Sequence, residues 1–181
     1  MTPCGPPKLP HYGHRIAYPH RARYPQAGHP FLRITPLLKS GAAFRHVTDL
    51  MYEAALPWQP TVVATVDARG FLFAAPLAQR LGVGLVPVRK PGKLPYKTIS
   101  ASYDLEYGSA TLNMHTDALT PRDRALIVDD VLATGGTAAA TMSLVRRLGA
   151  SVAGCAVLLE LDAMGGRKAL EGVPFFTVLH V

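Results

Sequence analysis

Residues 125–137 read Ala125-Leu-Ile-Val-Asp-Asp-Val-Leu-Ala-Thr-Gly-Gly-Thr137, and this stretch decides the fold. A short apolar strand, 125–128, runs into two adjacent acids, Asp129 and Asp130. A loop of Ala133, Thr134, Gly135, Gly136 and Thr137 follows. A helix then spans 138–148, with a stripe at Thr141, Leu144, Val145 and Leu148, and Arg146 and Arg147 turned away. In an open α/β sheet, ligands bind beyond the carboxyl ends of the strands, which is where this turn lies. Gly135 and Gly136 let the backbone bend sharply and approach a ligand closely. Thr134 and Thr137 offer hydroxyls. The free N–H groups and positive dipole end of the helix attract a phosphate. Carboxylates at 129 and 130 suit a polyhydroxyl ligand such as ribose, and they also attract a hydrated Mg²⁺. The same residues also fit a plain strand–turn–helix with a solvated Asp pair. Two familiar phosphate loops are excluded: GxxxxGK[ST] and its lysine are absent, and so is GxGxxG.

Outward from this turn, strands and helices alternate. Apolar residues at Val47, Leu50, Met51 and Ala54 predict a helix over 44–56, stopped by Pro57 and Pro60. The β-branched run 61–66 reads as a buried parallel strand. A helix is expected over 71–81, with Pro76 near its first turn and Gly82 as its stop. Residues 84–88 form a second strand, which Pro87 confines to a sheet edge. Residues 89–124 are polar and alternate weakly, and they read as a long excursion with a hairpin. Residues 151–161 form a further strand, and Val178-Leu179 ends the sheet. The alternation implies an α/β domain with a mainly parallel sheet.

The chain has 181 residues, 49% of them hydrophobic, enough for one packed domain. No apolar run approaches a bilayer-crossing length of ~20 residues, and the first ten residues lack the apolar stretch of a secretory signal. A cytoplasmic protein is the expectation. Cys4 and Cys155 read as free thiols, with no zinc or disulfide spacing. The formal charge is +7. Residues 1–48 hold Lys8, Arg15, Arg21, Arg23, Arg33, Lys39 and Arg45 and no acid, and the first carboxylate is Asp49. The excess therefore lies at the N-terminus, and the rest of the chain is balanced. Nucleic acid is not the expected partner, because no reader motif accompanies this basic arm. Residues 1–24 read as a Pro-rich basic leader and 25–181 as the functional domain.

The 128–137 motif resembles the phosphoribosyl-diphosphate motif of type I phosphoribosyltransferases, in the Leu-Ala-Thr-Gly-Gly-Thr version of the adenine-specific members. Asp67-Ala-Arg-Gly-Phe-Leu-Phe73 is similar to the family's diphosphate loop. Val86–Pro95 and Tyr103-Asp-Leu-Glu-Tyr-Gly108 resemble its flexible loop and the strand after it, and Pro36–Lys39 and Pro174–Phe176 match at the ends. The resemblance covers roughly residues 25–180. It implies a parallel five-stranded core flanked by helices, a small hood over the base, Mg²⁺ dependence and a homodimer. It implies transfer of a phosphoribosyl group from 5-phosphoribosyl-1-diphosphate to adenine. The alternatives are transfer to hypoxanthine or guanine, or a non-catalytic regulator that binds phosphoribosyl diphosphate.

By matching position, Ala133 to Thr137 would hold the 5′-phosphate, and Asp129 and Asp130 the ribose hydroxyls. Arg69 would meet the diphosphate beside a cis Asp67–Ala68 peptide, with Arg89, Lys90 and Lys93 nearby. Glu106 would face the base at its imidazole edge and handle the proton. Pro30 C=O and Leu32 N–H would read the base, and 90–108 would close over the site. Three positions depart from the family pattern. Phe31-Leu-Arg-Ile34 stands for Phe-Arg-Asp-Ile, Thr65 for a glycine, and Asn113 for a glutamate.

Overall fold

A computed structural model describes residues 34–104 and 108–181. The leader 1–24 and the expected site residues Pro30, Leu32 and Glu106 lie outside the described residues. The chain divides into two compact units, Met1–Phe44 and Arg45–Val181. In the first, helix α1 (Thr35–Lys39) is followed by Ser40, whose hydroxyl accepts the Ala43 N–H as α2 (Gly41–Ala55) begins.

The second unit is built on a sheet of five parallel strands: β1 (Val62–Val66), β2 (Gly84–Val88), β5 (Arg124–Leu132), β6 (Ser151–Glu160) and β7 (Phe175–His180). Their order is β2-β1-β5-β6-β7, and every neighbouring pair runs parallel. Helix α3 (Gly70–Leu81) links β1 to β2, and α4 (Gly136–Arg147) links β5 to β6. Between β2 and β5 the chain leaves the sheet to form the antiparallel hairpin β3 (Thr98–Asp104) and β4 (Ser109–His115).

The strand period of two sorts β1 onto two faces. Val62, Ala64 and Val66 join Leu112 and Met114 of the hairpin and Leu144 and Val145 of α4 in one buried cluster. The Thr65 side faces the start of α3, whose Phe73, Ala74 and Leu77 are buried. β1 is therefore covered on both sides, which is why its sequence is uniformly apolar rather than alternating. On the α3 side, Arg80 pairs with Asp49 of α2, and its guanidinium lies 4.5 Å from the centre of the Tyr52 ring.

One expectation holds, and two local differences from the sequence reading have simple causes. β2 is an edge strand, so Pro87 costs no ladder hydrogen bond on its open side. Pro76 lies well inside α3 rather than in its first turn, because the helix starts at Gly70. β5 continues to Leu132 through both aspartates, since β6 pairs with it as far as Leu132↔Glu160. Gly82 ends α3 in the left-handed conformation, at φ +69°. Among the described residues, no helix is long and apolar enough to cross a membrane.

Candidate active site

The carboxyl ends of β1, β2 and β5 lie side by side, and each delivers charge. β1 ends at Val66, and Asp67 follows, its N–H donating to the Val88 carbonyl at 3.1 Å. That bond sets Asp67 beside Arg89, the residue after β2. Arg89 Nε donates to Asp67 Oδ2 at 3.1 Å, and its Nη1 donates to the Lys93 carbonyl at 3.2 Å. One guanidinium thus ties the β1 end to the first residues of the excursion. The Asp67–Ala68 peptide is cis. Lys90 and Lys93 are exposed, with their side chains free of any ion pair among the described residues.

Asp129 and Asp130 point to opposite faces of β5, as neighbours on a strand must. Asp130 is 5% exposed, and its Oδ2 lies 2.6 Å from Arg69 Nε. Asp129 Oδ1 accepts the Asp130 N–H at 2.8 Å. Burial raises the Asp129 carboxyl to about 8, and the neighbouring Asp130 charge adds to the rise. Burial and the Asp130 charge both favour the protonated form of Asp129, beside an Asp130 that contacts a cation. The aspartates are not a solvated pair.

Gly70 sits where the β1 and β5 ends converge. A Cβ there would lie 2.8 Å from Thr65 Oγ1 and 2.9 Å from Asp129 Oδ1, so no side chain fits. Glycine at 70 lets α3 begin directly against the acid pair.

Past Leu132 the chain turns through Ala133, Thr134 and Gly135, and α4 starts at Gly136. Gly135 has φ +85°, which glycine adopts without penalty. No side chain caps α4, so the N–H groups of its first turn are left for an outside acceptor. They border a small cleft of ≈ 70 Å³ lined by Ala133 to Thr137, Asp129, Val66 and Cys155. Five residues expected to act together are thus brought together with Asp129. Burial, and the nearby Asp129, hold the Cys155 thiol protonated well above its usual range.

The hairpin closes one wall of this turn. Tyr103 lies over Gly136, where a Cβ would meet its ring at 2.7 Å. Thr137 Oγ1 donates to Tyr103 Oη at 3.2 Å, so that hydroxyl is engaged by the hairpin. Tyr103 is a wall of the turn, whereas Tyr96 is 72% exposed. His115 donates from its ring to the Pro95 carbonyl, anchoring the excursion on β4. Trp58 packs against Gly154 of β6.

Comparisons with known proteins agree with this geometry. The family model described as the phosphoribosyl transferase domain matches residues 34–178. Adenine phosphoribosyltransferase of Desulfitobacterium hafniense is 51% identical over 156 residues, covering 86% of this chain and 90% of that protein. The crystal structure of adenine phosphoribosyltransferase from Thermoanaerobacter pseudethanolicus superposes with a TM-score of 0.84 at 46% identity, covering 87% of this chain and 91% of that one. The Saccharomyces cerevisiae enzyme was solved with D-2,5-dideoxy-2,5-imino-altritol 1,6-bisphosphate and adenine. It superposes with a TM-score of 0.80 at 38% identity, covering 86% and 90%.

Proposed function

The chain belongs to the phosphoribosyl transferase family, and from that premise we propose that it transfers the phosphoribosyl group of 5-phosphoribosyl-1-diphosphate to adenine, releasing AMP and diphosphate. The observation that carries this reading is the uncapped 133–137 turn beside a buried acid pair, one of whose members holds an arginine. In this reading an anion and a polyol share one site, with a cation alongside.

In this reading the amides of Ala133 to Thr137 hold the 5′-phosphate. Asp129 and Asp130 grip the ribose hydroxyls. Arg69, Arg89, Lys90 and Lys93 attend the diphosphate. N9 of the base attacks ribose C1 as the C1–O bond to diphosphate breaks. Positive charge grows on the sugar and negative charge on the leaving group. Arg69 and the loop cations stabilise the latter in a site that excludes water. Glu106 takes the N9 proton, and Pro30 C=O and Leu32 N–H read the base. Holding base and sugar in line supplies much of the remaining acceleration.

Mg²⁺ fits this donor set. The β1 and β5 ends offer carboxylate oxygens, the hard ligands it takes, and Asp67 Oδ1 is buried without a hydrogen-bond partner among the described residues. Bound mainly through the diphosphate and ribose of the substrate, Mg²⁺ would neutralise charge on the leaving group. A homodimer in the cytoplasm completes the proposal.

The test is an assay of purified protein with phosphoribosyl diphosphate, Mg²⁺ and a panel of bases. AMP and diphosphate formed with adenine alone is the expected result. Turnover of hypoxanthine or guanine instead moves the base assignment. Tight binding of phosphoribosyl diphosphate without turnover of any base replaces the enzyme with a regulator. Glu106→Gln is expected to lower turnover sharply while binding persists, and full activity would remove Glu106 from the reaction.

A further inference from the structure

The residues after β6 are absorbed neither by the motif nor by the chemistry above, yet they press on the phosphate turn from behind. A Cβ at Gly135 would lie 2.5 Å from the Gly166 carbonyl oxygen and 2.6 Å from Ala169 Cβ. In the opposite direction, any side chain at Gly166 would run into the Ala133 carbonyl, and its Cβ would lie 3.0 Å from Gly135 N. Two glycines thus meet backbone to backbone, and neither can be enlarged without moving the amides that face the cleft.

The 3-10 turn that carries Gly166 (Gly166–Leu170) is held at both ends. Leu170 is 2% exposed and packs with Leu132, Ala138 and Met142 beneath the start of α4. Arg167 forms a two-pronged ion pair with Glu160, the last residue of β6, with Nε–Oε1 at 3.2 Å and Nη2–Oε2 at 3.3 Å. Its guanidinium lies 4.6 Å from the centre of the Phe175 ring. Glu160 is itself 6% exposed, and its carbonyl accepts the Val181 N–H at 3.0 Å. The turn is therefore tied to the rigid sheet rather than floating over it.

We infer that Gly166–Leu170 is a brace that fixes the phosphate turn, with Gly166 and Arg167 as positioning residues for the 5′-phosphate. The inference rests on the proposed phosphoribosyl chemistry. A phosphate is bound by several amides at once, so a shift of the backbone at 133–135 weakens all of those bonds together. A misplacement of about 1 Å costs up to about a hundredfold in well-aligned sites. Among the described residues, the brace presses on the phosphate turn itself. Its loss is therefore expected to weaken the phosphoribosyl substrate rather than adenine.

The test uses the full chain with Gly166→Ala and, as a variant on an exposed side chain that spares the backbone, Arg167→Gln. Ribose 5-phosphate binding is measured by calorimetry, and KM values for both substrates and kcat are measured beside it. The expected result for Gly166→Ala is a rise of about tenfold or more in the ribose 5-phosphate Kd and the phosphoribosyl-diphosphate KM, with the adenine KM within about twofold. Arg167→Gln should raise the same two constants about threefold, and Arg167→Lys should recover part of the loss, since it keeps the charge without the fork. Folded variants with unchanged ribose 5-phosphate affinity overturn the brace. So does a fall in kcat alone, which marks a loss of active protein rather than a displaced turn. Wild-type protein that binds ribose 5-phosphate but makes no AMP refutes the transferase reading and leaves the brace to the calorimetry. Wild-type protein that does neither removes both.

Discussion

Thr137 and Tyr103 meet through their hydroxyls at 3.2 Å, joining the first turn of α4 to the hairpin strand β3 across 34 residues of sequence. The Tyr103 ring lies against Gly136, the residue at which α4 starts. The wall of the phosphate turn is thus supplied by the strand that leads into residues 105–107. In the proposed reaction, phosphate binding and the placement of that strand share a contact.

Tyr103→Phe keeps the ring and removes only the hydroxyl. A net hydrogen bond contributes about 0.5–1.5 kcal/mol, so denaturant unfolding should show a loss of ~1 kcal/mol. The KM for phosphoribosyl diphosphate should rise only a few-fold. Tyr103→Ala leaves Gly136 uncovered and should cost turnover as well. Equal kinetics in the two variants would show that the ring is not part of the site.

Asp130→Asn preserves shape and removes the charge that Arg69 contacts at 2.6 Å. Both the ribose contact and the placement of Arg69 depend on that carboxylate in the proposed reaction. Steady-state kinetics should show kcat/KM lower by about a hundredfold or more, equivalent to ~2.7 kcal/mol of transition-state stabilisation. A variant within threefold of wild type would move the ribose site elsewhere.

Much of this arrangement is legible in the sequence because it is local. The strand, turn and helix of 125–147 show in hydrophobic periodicity and glycine placement, and Pro87 alone marks an edge strand, which β2 is. The extent of β5 is less legible, since pairing with β6, and not residue type, carries it through Asp130 to Leu132. The burial of Asp130 is equally a property of neighbours, so residues alone left a solvated pair open. Gly166 is out of reach of any local pattern. Its need for a bare Cα comes from Ala133, more than thirty residues earlier.

The acid pair also predicts a pH dependence of stability. Asp129 is raised from 3.8 to about 8, first by burial and then by Asp130. Below pH ~4 both folded and unfolded chains hold the proton, and the contribution is fully present. Between about 4 and 8 the folded chain keeps a proton that the unfolded chain releases, so stability falls as pH rises and levels off above about 8. The Asp123 shift acts elsewhere. The Thr120 N–H, chiefly, lowers its carboxyl below 3.8, so what it adds is lost only in more acidic solution. Denaturation midpoints at pH 5, 6, 7 and 8 should decline in the wild type and decline less in Asp129→Asn. Parallel curves for the two proteins would mean that Asp129 is ionised throughout.

Thr65 offers a test in which stability and activity separate. It is wholly buried, and its hydroxyl has no hydrogen-bond partner among the described residues. A buried hydroxyl left unpaired costs about 1–3 kcal/mol, and valine has the same shape without it. Thr65→Val should therefore raise stability by ~1 kcal/mol. The hydroxyl lies near Gly70 and Asp129, within the crowded junction of the β1 and β5 ends. If it steadies Asp129 once the ribose is in place, the same substitution would lower kcat/KM. The apolar surroundings of β1 favour the other outcome: a more stable protein with kcat/KM within about twofold of wild type. Loss of stability in Thr65→Val, measured by denaturant unfolding, would show that this oxygen has a partner after all.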